Sequence, residues 1–289
     1  MKILGIDIGA TNTKFVVLEN FKRISKKKSS LTLKRKKDFI LFLKEEIKKI
    51  SEKEKISGIG IGIAGILDKK REKILFVPNL KFLSKFPLKE ILEKEFKKKI
   101  KLENDTNCFT LCEAFLGEAK KYKIVIGLTL GTGIGGTILF KRKIYKGAFG
   151  GAGEIGHMVI NFEKGKCSCG NFGCFEAFGS EKFFKRKKVF SKNIEEKAKR
   201  GDKKAKRIFE EYGKYLGIGI SNIINILDPE IVVLGGGQAK AFNLFSPSLK
   251  KEVEKRVISP ISRKFVKIKK GKFLDFGGAI GAALLFKFN

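Results

Sequence analysis

Apolar positions along this chain form two kinds of run. Short blocks rich in Ile, Val, Leu and Gly, nearly free of charge, stand at Ile3-Leu4, Phe15 to Leu18, Ile56 to Ile66, Ile124 to Ile126, Thr137 to Phe140 and Ile231 to Leu234. Each is bounded by glycine or polar turn residues, the pattern of buried strands. Longer stretches carry apolar residues at three- and four-residue spacing with lysines between them. Asp38 to Glu54 and Lys89 to Lys99 predict helices of this type. Thr106 to Ala119 predicts a helix that Asn104 or Asp105 can cap. Gly213 to Leu227, the segments from Gln238 and from Ser248 to Val257, and the small-residue stretch Gly277 to Phe286 predict four more. Strands that alternate with helices argue for an α/β protein with parallel sheets and helical crossovers.

One pattern occurs twice. Residues 5 to 9 read G-I-D-I-G and residues 127 to 131 read G-L-T-L-G, 122 positions later. Each is entered by an apolar strand and followed by a small-residue turn and a second apolar strand. Two readings stand: a coincidence between Gly-rich hairpins, or two related α/β halves that open on the same unit.

Composition sharpens this picture only in part. A chain of 289 residues suffices for two domains with cores of their own. The net charge of +33, from 63 Lys and Arg against 30 Asp and Glu, taken alone points to nucleic acid or an anionic surface. The lysines, however, are spread over the whole chain. With 27 Phe, 5 Pro and no Trp, the bias reads as a compositional drift towards Lys, Ile and Phe. No specific nucleic-acid partner is therefore expected, although the field should concentrate polyphosphate ligands and weaken with salt. No apolar run approaches the ~18 residues of a membrane span, and the N-terminal apolar run is too short for a secretory signal. A cytoplasmic protein with no membrane partner is expected. Five cysteines, an odd and clustered set, read as metal ligands and free thiols and not as a disulfide framework.

Three of those cysteines lie in the run C-S-C-G-N-F-G-C-F-E, as Cys167, Cys169 and Cys174, ten residues after the chain's only histidine, His157. Three thiolates and one imidazole suit a closed, four-coordinate zinc site. The spacing C-x-C-x4-C is not that of a generic zinc finger. Glu154 and Glu176 flank the ligands, so a zinc pin would fix two carboxylates in space. Cys108 and Cys112, four apart on a predicted helix, read as small buried hydrophobes.

The Gly-rich turns carry phosphate chemistry. Gly131-x-Gly133-x-x-Gly136 matches the dinucleotide fingerprint only superficially, because that motif opens a helix and here Thr137 to Phe140 continues as a strand. A hairpin of Gly, Thr and Asn can still cradle phosphate oxygens with backbone N–H groups. Two such hairpins, Asp7 to Lys14 and Gly131 to Gly136, are candidates to grip one polyphosphate. Asp7 would face metal-bound phosphates and Lys14 would add charge. In Glu103-Asn104-Asp105-Thr106-Asn107, the carboxylate at a helix start is either a cap or a general base for a sugar hydroxyl.

Taken in order, these motifs resemble those of the ROK family of sugar kinases, in the hexokinase–actin superfamily. D-I-G-A-T-N-T-K (7 to 14) resembles its first phosphate motif, with Ala10 where the family more often has Gly. L-G-T-G-I-G-G (130 to 136) resembles the second, E-N-D-T-N (103 to 107) the catalytic segment, and I-V-V-L-G-G-G (231 to 237) the adenosine motif. G-A-G-E-I-G-H-M-V-I (151 to 160) and the cysteine run resemble its two signatures. The resemblance implies two RNase H-like α/β domains flanking a cleft: residues 1–107 plus 277–289, and residues 108–276. It implies Asp105 as base for the 6-hydroxyl of a hexose, and Asn104, Glu154, His157 and Glu176 on the other hydroxyls, with Gly65 and Asn79 as further sugar-loop residues. Asp7, Gly9, Thr11, Asn12, Lys14, Gly131, Thr132, Gly133, Gly235 and Gly236 would bind ATP with Mg²⁺. His157, Cys167, Cys169 and Cys174 would hold structural Zn²⁺. A homodimer is expected. Glucose is the expected acceptor, with N-acetylhexosamine or fructose as alternatives, and ATP, ADP and polyphosphate all stand as donors. Sugar-responsive repressors share the zinc motif but carry a helix-turn-helix before the first phosphate motif, which here begins at Gly5. A sugar-binding relative without catalysis would not be expected to keep Asp105 and both hairpins.

Overall fold

The computed structural model describes residues 1–287. They divide into two compact units, each built on a five-stranded mixed sheet. Phe288 and Asn289, the end of the expected 277–289 segment, lie outside the described residues.

The first unit comprises Met1–Gly117, Lys146–Ala152 and the chain from Asp275. Its strands β1 (Lys2–Ile8), β2 (Asn12–Glu19) and β3 (Arg23–Leu31) run antiparallel, and β4 (Ile56–Ile63) and β7 (Ile100–Asn104) continue parallel to β1 in the order β3-β2-β1-β4-β7. A small hairpin, β5 (Ile66–Leu67) and β6 (Ile74–Phe76), leaves the end of β4. Helices α1 (Lys36–Lys53) and α2 (Leu88–Phe96) connect the strands, and α3 (Asp105–Leu116) follows β7. Leu4, Ile6, Ile8, Phe15 and Val17 meet Phe39, Leu43, Ile47 and Ile50 of α1 in the core.

The second unit, Glu118–Tyr145 and Gly153–Leu274, repeats this plan. Strands β8 (Ile124–Leu130), β9 (Ile134–Phe140) and β10 (Lys143–Ile144) are antiparallel, and β11 (Ile231–Gly235) and β12 (Lys267–Lys270) run parallel to β8 in the order β10-β9-β8-β11-β12. Its helices are α4 (Phe175–Gly179), α5 (Glu181–Arg186), α6 (Ser191–Lys199), α7 (Lys203–Leu227), α8 (Phe242–Arg256) and α9 (Pro260–Phe265). Ile126, Leu128 and Leu130 pack on Phe209, Tyr212, Leu216 and Ile220 of α7 and Phe245 of α8. The two opening strands share one burial pattern, with second to fifth and seventh residues buried in both β1 and β8. The repeated G-I-D-I-G and G-L-T-L-G thus occupy one place in one topology.

The last helix, α10 (Gly277–Leu284), explains much of the glycine in the first unit. It lies on β1 and β4 and against α3 with backbone touching backbone. A Cβ added to Gly5 would sit 1.9 Å from the Ala279 carbonyl oxygen, one on Gly60 1.8 Å from that of Ala282, and one on Gly281 1.7 Å from that of Cys108. The same contact moves the expected boundary. Helix α3, placed after residue 107 in the larger domain by sequence, belongs with the first unit because α10 seats on it. The segment Lys146–Ala152 joins that unit too.

Other differences are local. The helix expected to Lys99 ends at Phe96, where Lys97 takes a left-handed cap (φ 49°) and frees the chain to enter β7. Helix α7 starts ten residues before the predicted Gly213, because Asp202 accepts the Ala205 amide at 2.7 Å and caps it there. Strands β3 and β12 were not expected. Both are lysine-bearing sheet edges, where charge replaces the apolar signature.

Gly60→Ala should lower unfolding free energy by at least about 1–3 kcal/mol, the usual cost of overpacking, because a backbone and not a flexible side chain opposes the new methyl. Gly131→Ala, whose Cβ would meet nothing within 4 Å, should stay within roughly 0.5 kcal/mol. Urea titration of both variants checks the pair.

Candidate active site

In the first unit three strand ends bring the predicted residues together. Asp7 lies at the end of β1, in register with Lys14 of β2 on one side and Gly62 of β4 on the other. The turn between β1 and β2 is tight: the Gly9 amide donates to the Asn12 carbonyl at 3.1 Å. A residue the sequence reading missed braces it. Thr32 donates its hydroxyl to the Gly9 carbonyl (2.8 Å) and its amide to that of Thr11 (2.8 Å), while its oxygen meets Thr13 Oγ1 at 2.9 Å. Lys34 donates to the Ala10 carbonyl. Thr11 is left exposed at the tip, with Asn12 half-buried beside it.

Asp105 is the first residue of α3, and the cap is its neighbour. Asn104 Oδ1 accepts the amides of Thr106 (2.9 Å) and Asn107 (3.3 Å), and Asn104 Nδ2 donates to the Gly65 carbonyl at 3.2 Å. The structure therefore joins Gly65 to Asn104 and releases Asp105 from capping. Burial raises the Asp105 pKa, against amide hydrogen bonds that lower it. Asp7 is pushed up to about 7, first by burial, then by the charge of Asp105, with Lys14 pulling the other way. Asn79 is exposed, and its side chain has no hydrogen-bond partner among the described residues.

Glu103 is a further residue not singled out by sequence. It is 2% exposed, and its Oε1 accepts the Asn104 amide and Asn107 Nδ2, both at 2.9 Å. Arg71 lies against the same oxygen, Nε at 2.9 Å. Cys108 and Cys112 are buried, and burial drives both thiols well above their ordinary range, so they act as apolar filling.

The second unit holds the other predicted residues. The β8–β9 turn closes through the Gly131 amide on the Gly133 carbonyl (2.9 Å), leaving Thr132 exposed. Glu176, in the first turn of α4, reaches into this turn and accepts the Ile134 amide at 3.1 Å. Gly133 has no room for a side chain there, since a Cβ would fall 2.1 Å from Glu176 Oε2. The other oxygen of Glu176 pairs with Lys182 at 2.5 Å and takes the Ser168 hydroxyl at 3.4 Å. Gly235 ends β11 opposite Thr129, and Gly236 turns with φ 82° where a Cβ would strike the Leu130 carbonyl at 2.3 Å. The adenosine-like motif and the second hairpin therefore meet at adjacent strand ends. Glu181 ties them further: its amide donates to the Gly131 carbonyl (2.9 Å) and its carboxylate accepts Gln238 Nε2 (2.7 Å).

Glu154 is exposed at the start of a short 3₁₀ turn, Ile155–His157. Its Oε2 lies 3.9 Å from His157 Nε2, while His157 Nδ1 lies 3.9 Å from Cys167 Sγ. Cys169 and Cys174 are 3.7 Å apart, and the four donor atoms lie within 4.8 Å of one another. Tetrahedral zinc with sulfur at ~2.3 Å spaces its ligands by about 3.8 Å, so this donor set fits zinc, with one imidazole nitrogen for the metal and the other on the side of Glu154. Among the described residues no helix is long and apolar enough to cross a membrane.

The folded pKa of Asp7, about 7 against its usual 3.8, carries a sign for stability. Between those values the folded form holds a proton that the unfolded chain has lost, so stability falls as pH rises through that window and levels off above it. Asp7→Asn should remove about 1–2 kcal/mol of the decline, a part of the full linkage because solvent still reaches the residue's edge. Urea unfolding at pH 5 and pH 7.5 for both proteins checks it.

Known proteins share this architecture and these motifs. A family model described as ROK family matches residues 3–289. The glucokinase of Thermotoga maritima is 30% identical, the match covering 99% of this chain and 98% of the relative. The N-acetyl-D-glucosamine kinase of Mannheimia succiniciproducens is 30% identical over 98% and 99%. The xylose repressor of Caldicellulosiruptor bescii is 32% identical over 88% of this chain and 70% of its own length. A crystal structure of a ROK family glucokinase from Streptomyces griseus, in complex with glucose and AMPPNP, superposes with a TM-score of 0.88 at 27% identity, covering 99% of both chains. With a family model matched over residues 3–289 and relatives at 30% identity across nearly the whole length, the chain belongs to the ROK family.

Proposed function

We propose that the protein is an ATP-dependent hexose kinase acting on the 6-hydroxyl, with glucose as the preferred acceptor. The observation that carries this reading is the division of labour at the start of α3. Asn104 caps the helix, so the carboxyl of Asp105 is not needed as the cap and is raised in pKa by burial against the amide hydrogen bonds it accepts. A raised carboxyl is a better base near neutral pH than an ordinary aspartate. The Streptomyces griseus glucokinase, solved with glucose and a nucleotide analogue, supports the substrate pair.

In this reading Asp105 takes the proton of the 6-hydroxyl as its oxygen attacks the γ-phosphorus, and the bond to the β-phosphate oxygen breaks to release ADP. Asn104, Gly65, Asn79, Glu154, His157 and Glu176 orient the sugar. Glu176 already accepts from Ile134 and Lys182 and still has lone pairs for a hydroxyl. The turn at Gly9, Thr11 and Asn12 and the turn at Gly131, Thr132 and Gly133 bind phosphates through amides and hydroxyls, and Gly235 and Gly236 let the adenosine approach the backbone. Asp7 and Lys14 hold the Mg²⁺–phosphate group. Mg²⁺, when bound, neutralises charge that builds on the transferring phosphoryl oxygens. His157, Cys167, Cys169 and Cys174 hold structural zinc, leaving no open position for water. An N-acetylhexosamine acceptor is the second reading, favoured by the Mannheimia relative.

Asp105→Asn should keep sugar binding and lower kcat by on the order of 10²-fold or more, the scale of a lost general base. Turnover within a few-fold of wild type would remove Asp105 from the role. Purified protein should carry one zinc, and Cys169→Ser should weaken sugar binding more than nucleotide binding. Metal analysis with sugar and nucleotide titrations decides this, and zinc-free protein with full activity would contradict it.

A further inference from the structure

Arg71 stands in the charged run D-K-K-R-E-K, in a chain where lysine and arginine are common. Its surroundings are unusual for a surface cation. Its side chain is 10% exposed and that of its partner Glu103 3%, a deeply buried ion pair. Its backbone is left-handed, φ 59°, a conformation that costs a residue with a Cβ about 1 kcal/mol. The turn is built to hold it so. The Arg71 amide donates to the Asp68 carbonyl at 3.0 Å, and Asp68 Oδ1 accepts the amides of Glu72 (2.7 Å) and Lys73 (2.9 Å).

The guanidinium then gathers three segments of the first unit. Nε meets Glu103 Oε1. Nη1 donates to the carbonyls of Asp68 (3.2 Å), Leu67 (3.4 Å) and Gly150 (3.3 Å). Gly150 is itself pressed against the turn, since a Cβ there would lie 3.0 Å from Lys69 Cα. Glu103 passes the constraint on: the oxygen that meets Arg71 also accepts the Asn104 amide and the Asn107 side chain, the two residues that bracket Asp105. A carboxylate oxygen that accepts two amides and faces a guanidinium by charge alone fixes its neighbours only while that charge is matched in this buried place.

We infer that Arg71 is a positioning residue for phosphoryl transfer: paired with Glu103, it sets the strand-to-helix turn that aims Asp105 and tethers the Lys146–Ala152 segment to the same network. The inference rests on the kinase reading above. In this role Arg71 acts through Glu103 and the turn into α3 and not on the sugar or the nucleotide. Its removal should therefore lower kcat while leaving nucleotide binding nearly unchanged.

The test measures wild type, Arg71→Met, Arg71→Lys, Glu103→Gln and the double variant Arg71→Met with Glu103→Gln. Hexose turnover with ATP is read together with KM for each substrate and thermal midpoint. Wild-type turnover tests the kinase reading by itself. Arg71→Met should lower kcat at least 10-fold with KM for ATP within 2-fold. The double variant should be no slower than the slower single variant, because the two residues act as one unit. If Arg71→Met is not recovered folded, Arg71→Lys decides: it keeps the charge and loses the fork, so kcat should fall at least 3-fold with the same split. The inference is overturned if kcat of the folded variant stays within 2-fold of wild type, if KM for ATP rises as much as kcat falls, or if the single effects multiply in the double variant.

Discussion

Three carboxylates crowd the strand ends of the first unit, and the fold depends on treating them differently. Glu103 is matched: one of its oxygens accepts an amide and a side-chain amide and lies 2.9 Å from the Arg71 guanidinium. Asp7 and Asp105 are both desolvated, and the charge of Asp105 adds to the cost of ionising Asp7. Buried carboxylates left short of partners work against stability. The structure sustains this cost with the tightest packing in the unit. Helix α10 lies with its backbone on β1, β4 and α3, and its Gly278 comes within contact of the Asp7 carboxylate. Bulk in any of these glycines would lift the helix from the strands that carry the acids.

The second unit solves a different problem with the same topology. Its hairpin turn is not closed by a threonine just past a neighbouring strand, as Thr32 closes the first, but by Glu176 reaching in from α4. Because Glu176 follows Cys174 by two residues, the cluster of three cysteines and one histidine and the β8–β9 turn are joined through one short piece of chain. Lys182 neutralises the carboxylate, and Gly133 makes room for it. Glu176 thereby links the cysteine run to the turn at Gly131 to Gly136 through the Ile134 amide.

The sequence carried some of this openly. Buried strands show as apolar runs, so the core strands of both sheets and the repeated hairpin could be read directly. The donor cluster of three cysteines and one histidine could be read because His157 is unique and the cysteines lie close together in sequence. The edge strands β3 and β12 could not be read, since their lysines serve solubility and hide the alternation. The cap at α3 was ambiguous because Asn104 and Asp105 suit the role equally; only the Oδ1 contacts to Thr106 and Asn107 separate them. Arg71 was invisible for a statistical reason, one cation among 63. What singles it out is burial and a left-handed turn, and neither has a mark in a run of charged residues.

The central claim is that the groups around Asp105 transfer a phosphoryl group to the 6-hydroxyl of a hexose. Phosphorus-31 NMR of the protein with ATP, Mg²⁺ and one sugar at a time tests it directly, with glucose, N-acetylglucosamine, fructose and 6-deoxyglucose as the set. The account predicts a new sugar phosphomonoester signal growing with ADP for glucose, and none for 6-deoxyglucose. Phosphorylation of 6-deoxyglucose at a comparable rate, or no phosphomonoester from any of the four sugars, would contradict it.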